Sequence, residues 1–183
     1  MNPATNVVAL LKQQHGEIRN LFDTVESTTG DERREAFRRL VRMLAVHETA
    51  EEEVVHPYTR RLTDGGSDVA NDRLEEERQA KELLSRLNDV DVEDDAFMPM
   101  LLKLRKAVTE HARAEERYEF TRLLRAADDK QLAAMAKAVK AAEATAPTRP
   151  HPGVETGARN LAVGPMAAVA DRARDAVRKA MGG

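Results

Sequence analysis

The sequence predicts an all-α protein, built as an up-down-up-down four-helix bundle with a short fifth helix and a C-terminal extension. Only 3% of the 183 residues are aromatic and 33% are charged. Leu, Ala, Glu, Arg and Lys predominate, and these residues lose little side-chain freedom in a helix. Apolar residues recur every three or four positions in four long stretches, which turn-forming residues separate. We therefore assign residues 1–127 to the bundle.

The first two helices are expected on either side of a single glycine. Asn2 and Pro3 resemble an N-cap followed by proline at the first helical position, and helix 1 should end near Thr28. Asp31 is then the expected cap of helix 2. Its apolar pattern continues to Pro57, where we expect a bend, and the turn at residues 64–66 ends it.

The third and fourth helices follow from the same signals. Ser67 is the expected cap of helix 3, which the acidic stretch at residues 88–95 closes. Helix 4 should run from about Asp95 to Ala126, because Pro99 in its first turn is tolerated. Short turns between long amphipathic helices favour antiparallel neighbours, as in a bundle.

Residues 128–183 form a second region in this interpretation. An Ala-rich helix is expected at about Lys130–Ala144. Proline and glycine then exclude regular structure over residues 146–160, and an amphipathic stretch runs from Pro165 to Met181. This tail could pack on the bundle or serve a protein partner.

The composition excludes several classes of protein. The net charge is −3 with acids and bases interspersed, so no basic stripe favours nucleic acid. No apolar run approaches the roughly 20 residues of a membrane helix. The chain has no cysteine, which excludes disulfides and thiolate metal sites. Because the N-terminus also lacks the pattern of a secretory signal, we expect a cytoplasmic protein.

One phrase occurs twice in the bundle helices: a histidine, three residues, then two glutamates. It begins at His47 in helix 2 and at His111 in helix 4. A helix places position i+4 about 40° round and roughly 6 Å along from position i. The pairs His47–Glu51 and His111–Glu115 can therefore reach the same metal ions.

Two further donors come from the other two helices. His15 lies on the apolar face of helix 1, at a distance from the first turn that matches His47. Glu77 in helix 3 stands at the depth of Glu51, and its neighbour Glu76 is the obvious rival. Three imidazoles and three carboxylates suit two iron or manganese ions, with Glu51 and Glu115 as bridges; the absence of thiolates favours iron.

At these residues the sequence resembles the hemerythrin-like, or HHE cation-binding, family over about residues 5–126. The resemblance rests on the single His of helix 1 and on the two phrases. It implies a non-haem di-iron centre with an oxo or hydroxo bridge, and chemistry on dioxygen, hydrogen peroxide or nitric oxide. Because the family includes iron- and oxygen-sensing modules, a regulatory module that acts through the C-terminal tail is the alternative.

The sequence departs from the oxygen-carrying members of that family. They bear two histidines four residues apart in helix 3, where this chain has Glu77 and Lys81, and their last carboxylate is an Asp at i+5. Replacing His by Glu makes the site harder and favours Fe(III). We therefore expect peroxide decomposition of the catalase type, oxygen-dependent redox turnover or sensing, rather than oxygen transport.

Five neighbouring side chains have open roles. Glu52 and Glu116 lie a further 100° round their helices, as partners of the ligands or as surface acids. His56 lies off the His47–Glu51 stripe and could bind metal only if the helix bends. Tyr58 and Tyr118 are expected to pack. A bundle without metal would have to solvate these acids and histidines, because buried carboxylates need a cation.

Overall fold

The computed structural model describes residues 6–144 and 146, and within them the chain is helical, with no strand. Asn2, Pro3 and the expectations for residues 147–183 lie outside the described residues. The α-helices are α1 (Val7–Ser27), α2 (Gly30–Ala50), α3 (His56–Leu62), α4 (Gly66–Asn88), α5 (Phe97–Ala114), α6 (Phe120–Ala126) and α7 (Asp129–Glu143). Two π-helical segments, Glu51–Val55 and Glu115–Glu119, join α2 to α3 and α5 to α6.

Four long helical rods form the bundle and confirm the predicted fold class. They are α1, the continuous rod from α2 to α3, α4, and the continuous rod from α5 to α6. Helix α1 packs on α2, and α4 packs on α3 and α5. The short helix α7 packs against α1, α2 and the first π segment. No helix in the described part of the chain is both long and apolar enough to cross a membrane.

The predicted starts of α2 and α4 were wrong by two residues, and within the described residues α1 begins at Val7. Asn6 is the N-cap of α1, with its side chain accepting from the Val8 amide at 2.9 Å. Thr29 precedes α2, so Asp31 lies in its first turn, where its charge suits the helix dipole. Helix α4 begins at Gly66 and not after Ser67. A Cβ at Gly66 would lie 2.0 Å from the carbonyl oxygen of Thr59, so only glycine fits this turn.

The apolar core has two parts with a polar layer between them. One cluster lies beside α7 and includes Leu11, Val55, Tyr58, Phe120 and Met135. The other lies toward the α4–α5 connection and includes Phe22, Leu40, Leu84, Phe97 and Leu104. Along α1 the polar layer falls between Leu11 and Ile18, at His15, which is 3% exposed. The bundle therefore buries charged side chains at mid-height instead of completing its core.

Candidate metal centre

The six predicted ligands meet in this polar layer as two overlapping groups of donors. Within each group the donor atoms all lie within 4.8 Å of one another. The first group consists of His15, His47, Glu51 and Glu115. The second consists of Glu51, Glu77, His111 and Glu115. Glu51 and Glu115 belong to both, which is the arrangement that two neighbouring ions with shared carboxylates require.

The three histidines of these groups turn the same ring nitrogen inward. The His15 Nε2 atom lies 3.2 Å from Glu115 Oε2, and the His111 Nε2 atom lies 3.5 Å from the same oxygen. The His47 Nε2 atom lies 3.2 Å from Glu51 Oε2. All three carboxylates of the layer are fully buried.

These side chains fit a metal because most of their inward-facing atoms form no hydrogen bond within the described residues. Both oxygens of Glu51 and both of Glu115 are buried, and although histidine nitrogens lie 3.2 to 3.5 Å from two of them, none accepts a well-oriented hydrogen bond within the described residues. The same holds, within that part of the chain, for one oxygen of Glu77 and for the Nε2 atoms of His15 and His111. Buried polar atoms are rarely left unpaired, so a cation at the centre of the layer is the partner that this donor set fits.

The outer nitrogens of the three rings are held by hydrogen bonds. The Nδ1 atom of His15 lies 3.0 Å from Glu116 Oε1, and that of His47 lies 2.9 Å from Gln14 Oε1. The Nδ1 atom of His111 lies 3.0 Å from Glu76 Oε2. When Nε2 of such a ring binds a metal, an acceptor at Nδ1 holds the remaining ring proton there. Glu76 is thus an outer partner, whereas its rival Glu77 lies inside the layer.

Each glutamate that both groups share begins a π segment. The His56 amide donates to the Glu51 carbonyl and the Phe120 amide donates to the Glu115 carbonyl, five residues back in each case. Such an extra residue in a helical turn is typical of functional sites and brings position i+5 near position i. Sequence reasoning assumed a regular α-helix and therefore placed His56 off the ligand face.

The π segments bring two side chains to the layer that the spacing did not indicate. The His56 Nε2 atom lies 2.6 Å from Glu77 Oε1, and its Nδ1 atom lies 3.0 Å from Glu119 Oε1. The Thr59 hydroxyl donates to the same Glu119 oxygen at 2.6 Å. His56, Glu115 and Glu119 form a third group of donors within 4.8 Å. The one signal in the sequence was the repeated phrase itself, because a π segment begins at its first glutamate in both rods.

The second glutamates of the two phrases differ. Glu52 is buried and forms an ion pair with Lys81 from α4. The Glu116 side chain is 32% exposed and accepts from His15. Tyr58 packs in the core beside α7, as expected, whereas Tyr118 is 50% exposed, so the expectation that it packs was wrong.

Burial and mutual charge set the pKa values in the layer. Burial, with His15 close by, lowers the pKa of His47 to about 3, which keeps this imidazole neutral. Burial and the Glu115 charge raise the pKa of Glu51 well above its usual range. For His111, burial acts downward, but Glu115 and the hydrogen bond with Glu76 outweigh it and hold the pKa at about 9. Without a metal ion, the layer therefore holds more carboxylates than positive charges, and this imbalance raises the pKa of Glu51.

Comparison with known proteins agrees with the fold and the donor set. The sequence model of the hemerythrin HHE cation-binding domain matches residues 6–123, so the chain belongs to this family of metal-binding helical domains. An uncharacterised hemerythrin-like protein of Schizosaccharomyces pombe is 26% identical over 138 residues, which cover 74% of this chain and 68% of that protein.

A solved structure has the same fold. It is the crystal structure of a hemerythrin HHE cation-binding domain-containing protein from Mycobacterium kansasii, with a TM-score of 0.68 at 19% identity. The superposition covers 92% of this chain and 98% of that one.

Proposed function

We propose that this protein is a non-haem di-iron protein that reacts with dioxygen, hydrogen peroxide or nitric oxide. The observation that carries the proposal is the pair of donor groups that share two buried carboxylates. His15 and His47 would hold one ion, and Glu77 and His111 the other. Glu51 and Glu115 would bridge them.

Iron suits these donors better than zinc. The six residues offer nitrogen and oxygen donors and no sulfur. Six donors are also more than the four ligands of a typical zinc site. Two iron ions held there would supply one-electron and two-electron redox chemistry for small oxygen or nitrogen oxide species. Three carboxylates against three imidazoles form a hard, anionic set that favours Fe(III), which supports redox turnover or sensing over reversible oxygen transport.

The surroundings of the layer restrict what can approach it. A cavity of about 20 Å³ lies against His15, His47 and His111, with Phe22 and Leu44 among its apolar lining. That volume holds about one water-sized molecule. Polar and charged side chains, among them Glu48, also line this cavity, and its small volume limits what can lie beside the three imidazoles. A small uncharged molecule such as dioxygen, nitric oxide or hydrogen peroxide therefore matches the space beside the donors.

Metal analysis with a spectrum tests the proposal. The full chain, loaded with ferrous iron without oxygen and then desalted, should retain about two irons and should change its near-ultraviolet absorption on addition of peroxide. His47→Gln should lose iron, and Glu35→Gln, at a 64% exposed position of the same helix, should retain it. Zinc or no metal in the loaded wild type would overturn the proposal.

The rate of peroxide consumption then separates an enzyme from a sensor. Multiple turnovers per iron pair indicate a catalase-like activity, and a single change of oxidation state indicates sensing. Recovery of the ferrous spectrum after oxygen is removed would contradict the preference for redox chemistry, because it is the behaviour of an oxygen carrier.

A further inference from the structure

The fourth buried histidine, His56, is held in the same way as the three histidines of the proposed ligand set. Its Nδ1 atom lies 3.0 Å from the Glu119 carboxylate, as the Nδ1 atoms of the other three lie 2.9 to 3.0 Å from Glu116, Gln14 and Glu76. Its Nε2 atom lies 2.6 Å from Glu77, inside the layer. An outer acceptor on one ring nitrogen with the other aimed at carboxylates is the usual arrangement of a metal-bound histidine.

The π segment explains how α3 can present this side chain. Because the His56 amide donates to the Glu51 carbonyl, the two residues lie one wide helical turn apart on the same side of the rod. Without the extra residue, position 56 would lie about 140° round from position 51. The His56 side chain is 2% exposed and reaches the donors of the second group through Glu77.

Helix α4 supplies no imidazole to the polar layer, because it contains no histidine. One turn after Glu77 it carries Lys81, whose ammonium group forms an ion pair with Glu52 and cannot bind a cation. The ion beside Glu77 and His111 thus has fewer imidazoles than the ion beside His15 and His47. His56 lies on the side where an imidazole is missing.

We propose that His56 is a further metal ligand, which binds through Nε2 to the ion held by Glu77 and His111. The inference rests on the proposed di-iron function. The Nε2 atom and the Glu77 oxygen already lie 2.6 Å apart, and two ligand atoms of one ion at bonds of about 2.1 Å lie roughly 3 Å apart. A bound ion would replace the hydrogen bond between these two atoms.

Glu119 and Thr59 are positioning residues for this ligand. The Thr59 hydroxyl fixes the Glu119 oxygen at 2.6 Å, and that oxygen fixes the His56 ring. Glu119 is fully buried, and its other oxygen has no hydrogen-bond partner within the described residues. With the ion bound at Nε2, the Glu119 oxygen that contacts His56 would accept from Nδ1 and hold the ring proton there.

Proton NMR of the full chain loaded with ferrous iron tests the proposal, because each coordinated imidazole gives one hyperfine-shifted, exchangeable N–H signal. We expect four such signals at about two irons per chain. Three signals at the same iron content would overturn the role of His56 and leave the proposed function intact. Failure to bind iron at all would overturn both.

Two variants assign the fourth signal. His56→Gln should lose one N–H signal and keep the others, and Glu119→Gln should shift that same signal alone. The control is Tyr58→Phe, which alters a buried neighbour in α3 and should keep all four signals. If His56→Gln retained four signals, or if Tyr58→Phe lost the same one, the proposal would be wrong. The wild-type count decides the question even if a variant does not fold.

Discussion

The two rods that carry the repeated phrase make a natural comparison, because the same local sequence lies in different surroundings. In both, the histidine and the first glutamate lie one turn apart, with Nε2 to Oε2 distances of 3.2 Å for His47–Glu51 and 3.5 Å for His111–Glu115. In both, the first glutamate begins a π segment. In both rods the phrase therefore coincides with a pair of inward-facing donors and with the start of a π segment.

Beyond the first glutamate the rods diverge. Position 52 is a buried acid paired with Lys81, whereas the corresponding Glu116 reaches the surface. Nine residues after each histidine stand His56 and Phe120, and Phe120 stacks on the His15 ring at 5.8 Å between centroids. Equivalent positions thus contribute a polar group in one rod and an apolar one in the other. The comparison teaches that the phrase sets the inner donors, and neighbouring helices set the side chains around them.

The largest effect is expected for the shared carboxylates. Glu115→Gln should abolish retention of both irons, because Glu115 belongs to all three groups of donors. Glu51→Gln should remove at least one iron. Metal analysis after desalting checks both, with Glu110→Gln, 64% exposed in α5, as the control. Retention of two irons by Glu115→Gln would show that the two rods do not share their ligands.

The second glutamates should differ in their effect on stability. Lys81→Met leaves Glu52 buried without its partner; because burial raises the pKa of Glu52 to about 9, the lone acid takes up a proton, and the free energy of unfolding should fall by about 1–3 kcal/mol. Lys12→Met breaks the corresponding exposed pair with Glu116, at 3.8 Å, and should cost less than about 1 kcal/mol. Urea denaturation at matched iron content measures both. Equal losses would mean that the surroundings of the two phrases do not matter.

The outer hydrogen bonds should give the smallest change. Gln14→Leu removes the acceptor of His47 Nδ1 and should weaken iron binding about tenfold. Glu76→Gln keeps an oxygen for His111 Nδ1 and should weaken binding by less than about tenfold. Competition with a chelator ranks the two, and Gln13→Leu, at an exposed position of the same helix, serves as the control. A larger loss for Glu76→Gln would mean that the charge of the outer partner, rather than its presence, tunes the ligand.

Much of the fold was readable from the sequence, because helix periodicity and turn residues act locally. The end of the fourth rod at Ala126 and the fifth helix match their predicted positions closely. The helix starts were less accurate, since several residues near each turn can cap a helix. At Gly66 the choice depends on the Thr59 carbonyl of the preceding helix, which no local signal contains.

The same division holds for the candidate site. The spacing of His47–Glu51 and of His111–Glu115, together with the depth of His15 and Glu77, was enough to gather six donors, because a helix fixes where position i+4 lies. The spacing did not indicate His56 or Glu119, since a π segment changes the turn without leaving a simple pattern in the sequence.

The sequence by itself determined the helical bundle from its periodicity, and five of the inner donors from the repeated phrase and the depth of His15; the same residues carry the resemblance to the family. Only the tertiary structure decided which acids are buried. It placed Glu77 rather than Glu76 in the layer, paired Lys81 with Glu52, and turned His56 toward Glu77. Burial and pairing depend on which side chains of neighbouring helices meet at one height, and that is a property of packing rather than of any single segment.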